Sequence, residues 1–183
     1  MKTRDNAWTL LTEYTKTEGL LRHALAVEAA MRHYARQRGG DEEKWALTGL
    51  LHDFDYERYP SLEDHPTKGS EILRREGYPD DVIEAILGHG NHTGVPRQSD
   101  MAKVLFAVDE LSGLVVAVAM VKGRQMNLVE TRSVMKKMKD KAFARGVNRD
   151  DVRSGAEEIG VPLEEHVEAV IEALKEVAPS LGL

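Results

Sequence analysis

Trp45-Ala46-Leu47-Thr48-Gly49-Leu50-Leu51-His52-Asp53 runs directly into Phe54-Asp55-Tyr56-Glu57-Arg58-Tyr59-Pro60. The first part is an apolar helical run, and the second is polar, aromatic and irregular. His52 and Asp53 therefore stand where a buried helix ends. Burying an imidazole or a carboxylate alone costs kilocalories, so each requires a partner or a metal. Two more such residues lie on apolar helical faces, His23 upstream and Asp109 downstream. His23 belongs to the stripe of Leu20, Ala24, Val27, Met31 and Tyr34, while Asp109 shares a face with Leu105, Ser112 and Val116. His23, His52, Asp53 and Asp109 thus come inward from three helices and read as one site for a divalent ion. Adjacent helical residues diverge by roughly 100°, so His52 and Asp53 can share an ion only where the helix loosens. The sequence from Phe54 onward supplies that loosening.

Outward from this stretch the period is helical throughout. Thr3 or Asp5 caps a first helix with Ala7, Leu10, Leu11 and Tyr14 on its stripe. A second spans about Glu18 to Arg38 and stops at Gly39-Gly40. Asp41 caps the helix that leads to His52. Pro66 opens the next, with Ile72 and Leu73 buried and Gly77 ending it, and Asp80 caps one with Val82, Ile83, Ile86 and Leu87. Gly88-His89-Gly90-Asn91-His92-Thr93-Gly94 reads as irregular. Asp100 caps a long helix from Met101 to about Lys122 whose second half is apolar all round, the mark of an enclosed central helix. Helices over about 130–145, 148–159 and 162–177 follow, the middle one capped by Asn148. There is no period-2 strand pattern, repeat or low-complexity linker. An all-α, single-domain chain of about nine helices is expected, with a metal-binding core over about 18–122 and helices over about 129–178 packed on it.

Composition limits the function. Apolar residues at 42% and charged residues at 31% describe a globular chain that can bury a core. No cysteine is present, which excludes disulfides, Fe–S clusters and thiolate zinc sites. The formal net charge of -6 carries no bias toward nucleic acid or anionic membrane. Arg132, Lys136, Lys137, Lys139, Lys141 and Arg145 are interspersed with Glu130 and Asp140 and read as a charged helix face, so a nucleic-acid partner is not expected. The N-terminal residues lack the apolar core of a signal peptide, and the most apolar stretch, Leu114 to Val121, is short of the ~20 residues of a membrane span. A soluble cytoplasmic protein without a membrane partner is expected, and an oligomer is compatible with the sequence.

The remaining histidines divide into two groups. His65, His89 and His92 lie between the His52-Asp53 pair and Asp109, at a helix start or in the glycine-broken segment, where a ring can turn toward a cavity. They suggest a second ion, bridged to the first by Asp53. At a one-ion site, His89 would instead suit proton donation to a leaving group. His33 and His166 read as surface residues.

The order His23, His52-Asp53, Asp109 resembles the HD superfamily of metal-dependent phosphohydrolases, over most of the chain. His65-Pro66-Thr67-Lys68-Gly69 with Glu71-Ile72-Leu73 is similar to the segment supplying a further ligand in two-metal members. Phe106 to Gly113 and Met135 to Arg145 resemble a small bacterial subfamily of HDIG-type proteins. Two differences stand out. Phe54-Asp55 replaces the Ile-Gly of that subgroup, and His89 and His92 are separated where two-metal members have adjacent histidines. The resemblance implies Asp53 as the bridging ligand and hydrolysis by attack of metal-bound hydroxide on phosphorus. Mn, Fe, Co, Ni or Zn suits these donors. Lys68, one turn from His65, would hold a phosphate of a small phosphorylated substrate, expected to be a nucleotide. Two alternatives fit the same residues: an HD-type di-iron oxygenase, which needs the second set of histidines, and a non-catalytic nucleotide-binding module.

Overall fold

The computed structural model describes residues 2–183, and among them the chain is all-α. Nine α-helices follow in order: α1 (Arg4–Tyr14), α2 (Glu18–Arg38), α3 (Glu42–Leu51), α4 (Thr67–Arg75), α5 (Asp80–His89), α6 (Asp100–Val121), α7 (Thr131–Met138), α8 (Arg149–Glu158) and α9 (Leu163–Glu176). Caps set most of the starts. Thr3 accepts from the Asn6 N–H in a capping box, Asp41 from the Lys44 N–H, and Asn148 from the Asp150 and Asp151 N–H groups. Ser99, not Asp100, caps α6 by accepting from Ala102, and Asp100 is its first residue. Likewise Pro79 precedes α5, leaving Asp80 inside its first turn.

The α2–α3 pair determines where the site lies. Gly39, in the left-handed conformation at φ 69°, turns the chain so that α3 runs back along α2. At Gly49 the helices meet so closely that a Cβ would stand 2.9 Å from the Val27 carbonyl oxygen. With 49 opposite 27 in an antiparallel pair, 52 and 53 fall opposite 23. Thus the glycine at the close approach, His23 and the His52-Asp53 pair belong to one register.

α6 lies against α2, α5, α8 and α9 and forms the middle of one continuous apolar core. Taken over its 22 residues, of which Leu114–Val121 is only the most apolar part, α6 is long and apolar enough by length and composition to cross a membrane. In this fold most of α6 is buried by protein, although Val121 at its end is 65% exposed. Gly155 of α8 packs directly on the α6 backbone, where a Cβ would lie 2.5 Å from the Ala107 Cα.

Three further expectations change. α5 continues through Gly88 and His89 before a short 3₁₀ turn at Asn91–Thr93, so the glycine-histidine segment is partly helical. α7 stops at Met138, and residues 139–148 form an irregular segment instead of helix. His166 is not a surface residue but fully buried. Its Nε2–H donates to the Ala107 carbonyl at 2.9 Å, so its Nδ1 accepts from the Tyr34 hydroxyl at 2.6 Å. This links α9, α6 and α2 through one ring.

Candidate metal centre

Two rings of the site are aimed by the backbone of their own helices and a third by a carboxylate. His52 is the C-cap of α3 and His89 the last residue of α5, where helix carbonyls have no N–H partner in the next turn. The His52 Nδ1–H donates to the Gly49 carbonyl at 2.8 Å and the His89 Nδ1–H to the Ile86 carbonyl at 2.5 Å. The same three-residue device, used twice, fixes the ring and leaves Nε2 pointing away from the helix. His65 is aimed differently. Its Nδ1–H donates to Asp55 Oδ1 at 2.8 Å, while Asp55 Oδ2 accepts from the Gly69 N–H at 2.9 Å. Gly69 is required there, since a Cβ would lie 2.6 Å from Asp55 Oδ2.

The aimed nitrogens converge in two groups. His23 Nε2, His52 Nε2 and Asp109 Oδ1 lie 3.2, 2.9 and 3.3 Å apart pairwise. Donors bound at ~2.1 Å and at right angles would be ~3 Å apart, so this triangle has the size of one face of a coordination sphere. The second group is formed by Asp53 Oδ1 with His65 Nε2 at 3.2 Å and His89 Nε2 at 3.3 Å. Asp53 turns its other oxygen to the first group, with Oδ2 3.5 Å from His52 Nε2 and 4.0 Å from His23 Nε2. One carboxylate therefore faces both.

The donor chemistry fits cations. His52, His65 and His89 each spend Nδ1–H on an oxygen that can only accept, so their neutral forms present lone pairs at Nε2. Two ionised carboxylates face those lone pairs. Such a collection of acceptors needs either protons or metal ions. Burial opposes charge on His52, but Asp53 and Asp109 outweigh it and hold the imidazolium well above its ordinary range. Burial likewise opposes charge on His65, yet Asp53 and Asp55 push it up to about 9. Protons and metal would compete for the same nitrogens, and binding of metal would release protons.

The two groups form the floor of a cavity of about 690 Å³. His52 is closed off at 0% side-chain exposure, whereas His23, Asp53 and Asp109 keep about a fifth of theirs, at 21, 23 and 18%. Solvent and small molecules can therefore reach the carboxylates but not the supporting histidine.

A family model described as HD domain matches residues 20–114, just over half of the chain and all six converging residues. The chain belongs to the HD domain family. Members of that family bind divalent metals and are generally metal-dependent phosphohydrolases. Among curated relatives, Ribonuclease Y of Oleidesulfovibrio alaskensis is 32% identical over 98 residues, covering 53% of this chain and 18% of the relative. Ribonuclease Y of Thermotoga maritima is 32% identical over 96 residues and that of Nitratiruptor sp. 36% over 96, each covering 52% of this chain and 18% of the relative. The chain thus spans less than a fifth of the length of these HD proteins. No solved structure matches significantly.

Not every candidate reaches the HD centre. His92 lines the cavity, but its Nε2–H donates to the His65 carbonyl at 2.8 Å, and it stands in neither donor group. Lys68 is not among the residues lining the cavity. Its ammonium pairs with Asp64 at 3.0 Å and lies 5.0 Å from the centroid of the Tyr59 ring. His33 is partly exposed and bonded to Gln37, in keeping with its reading. Asp55 is hard to recognise from sequence because it sits in a loop rich in charge. Its signal was the departure from the HDIG pattern itself, a carboxylate where that subgroup has glycine. Glu110 was also missed. Burial and then Asp109 push it up to about 7, and it accepts from the Asn148 N–H at 3.0 Å.

Proposed function

We propose that this HD protein is a two-ion phosphohydrolase acting on a small phosphorylated metabolite, specifically a nucleotide. The observation that carries the reading is Asp53, whose two oxygens face separate histidine groups. His23, His52 and Asp109 would hold one ion, His65 and His89 the other, and Asp53 would bridge them. Divalent ions so held would lower the pKa of bound water and neutralise phosphate oxygens. The chain's own part is to fix the donors. The Gly49 and Ile86 carbonyls and Asp55 orient three rings, and burial of His52 keeps water from the supporting side. The cavity wall includes exposed Tyr56 and Leu62, apolar surface on which a base can lie. The relatives are ribonucleases by name, and this supports a substrate built from nucleotides.

Phosphate release from a panel of nucleotides tests this, using Mn²⁺-loaded protein with and without chelator. Release that disappears on chelation is expected. An absence of release from every phosphate ester, together with an iron absorption band and oxygen consumption, would instead assign the six-donor centre to a di-iron oxygenase.

Asp55→Asn offers a finer test, because the amide cannot accept from both His65 and Gly69 with the same charge. Affinity at the ion held by Asp53, His65 and His89 is expected to fall by about 10–100-fold, with the other ion retained. Equal weakening at both ions in a metal titration would show that Asp55 acts on the fold as a whole.

A further inference from the structure

The wall of the metal cavity carries Asp53, Asp109, Glu110 and Asp151 and, apart from its histidines, one basic side chain, Arg145. Arg145 is exposed, and among the described residues it forms no ion pair. Arg97 pairs with Glu158 at 2.6 Å and Arg4 with Glu28 at 2.6 Å, whereas Arg74, Arg75 and Arg124, like Arg145, form no ion pair among the described residues, and of these four only Arg145 lines the cavity. A guanidinium left free beside an acidic cavity has no partner of opposite charge within the protein.

The segment that presents Arg145 is irregular but held in place. The Arg149 guanidinium donates to the carbonyls of Ala144 at 2.6 Å, Val147 at 2.7 Å, Asp140 at 3.3 Å and also Phe143. Ala144, immediately before Arg145, has φ 43°, in the left-handed region that disfavours a Cβ. At the far end, the Asn148 N–H bonded to Glu110 ties the segment to the cavity wall. Strained backbone fixed by its surroundings next to a cavity is a common mark of a functional position.

Past Arg145 the positive charge continues. A second hollow of about 270 Å³ shares Arg145, Val147 and Asn148 with the metal cavity and is also lined by Lys141, Arg149 and Arg153. Arg149 is committed to its carbonyls and Arg153 to Asp150 at 3.0 Å. Lys141 is exposed and, among the described residues, without an ion pair. Arg145 and Lys141 therefore form a free cationic path leading away from the metal centre. Had α7 continued, both would lie on a solvated helix face; its end at Met138 brings Arg145 to the cavity instead.

We infer that Arg145 is a specificity-determining residue that grips a second anionic group of the substrate, distal to the one at the metal centre, so that preferred substrates carry at least two phosphates. A guanidinium fork matches two phosphate oxygens where a lone lysine supplies a point charge. The inference rests on the phosphohydrolase reading only for what happens to the bound substrate, not for its binding.

Calorimetric titration of the Mn²⁺-loaded protein tests it, with adenosine monophosphate and the non-hydrolysable α,β-methylene adenosine diphosphate as probes. The wild type is expected to bind the diphosphate analogue about tenfold more tightly. Arg145→Gln should abolish most of that preference while leaving monophosphate affinity within about twofold, and Lys141→Gln should remove a smaller part. Lys136→Gln, which changes net charge equally away from the cavity, should have no effect. No preference in the wild type, or equal weakening of both probes by Arg145→Gln, would overturn the assignment. An Arg145-dependent preference without phosphate release from any nucleotide would count against the hydrolase reading alone.

Discussion

Asp53→Ala is expected to empty the metal centre and reduce phosphate release by at least about a thousandfold. The effect should exceed that of any single histidine because Asp53 belongs to both donor groups. Its Oδ1 faces His65 and His89, and its Oδ2 faces His52 and His23. Removing it subtracts one carboxylate charge and one donor from each ion at once. No water replaces that charge, and the alanine leaves a gap between two clusters of imidazoles that then repel whenever protonated. Elemental analysis of the variant should find little bound metal. Unchanged occupancy in a folded Asp53→Ala protein would remove Asp53 from the centre.

His166→Ala is expected to lower stability by about 3 kcal/mol or more, although the residue lies outside the metal centre. It leaves a buried cavity, an unpartnered Tyr34 hydroxyl and a carbonyl at Ala107 that loses its imidazole donor. A pH signature accompanies it. Burial pushes the His166 pKa down to about 4, with the Ala107 carbonyl partly opposing. The unfolded chain takes up a proton near pH 6.5 while the folded chain does not, so the stability from a neutral His166 is complete above 6.5 and is lost as pH falls toward 4. Across that window the wild type should lose roughly 3 kcal/mol relative to a variant without the ring. His166→Gln, whose amide can donate to Ala107 and accept from Tyr34, should recover part of the stability and lack the slope. Urea denaturation at pH 7.5 and pH 5 reads both effects. An alanine variant as stable as the wild type would show that the three-helix link contributes nothing.

His166 also shows where sequence and structure part. Its stripe was visible, since Val170 lies four residues on and Val167 next to it, and all three are buried. A polar ring beside Glu165 nevertheless reads as exposed, because its partners, the Tyr34 hydroxyl and the Ala107 carbonyl, lie 132 and 59 residues away. The inward faces of α2 and α6 located His23 and Asp109 by periodicity alone. The irregular stretch after Leu51 suggests that His52 and Asp53 need not diverge by a full helical step, and His52 Nε2 stands 3.5 Å from Asp53 Oδ2. What periodicity could not show was direction beyond a helix end. Gly88 and Gly90 suggested a broken segment, yet α5 carries His89 to its last turn and aims it through the Ile86 carbonyl. Lys68 looked well placed by sequence distance from His65, but an acid four residues earlier holds it elsewhere. Asp55 and Arg145 depend on contacts across 10 or more residues, and no local pattern encodes them.

The measurement that tests the two-ion centre most directly is metal content at saturation. The protein, purified without chelator, is titrated with Mn²⁺ and bound ion counted per chain in the wild type and in His65→Ala. His65 serves only the second donor group, so removing it should spare the first. Two ions in the wild type and one in His65→Ala are predicted. A stoichiometry that stays at one in excess metal, unaltered by His65→Ala, would contradict the account.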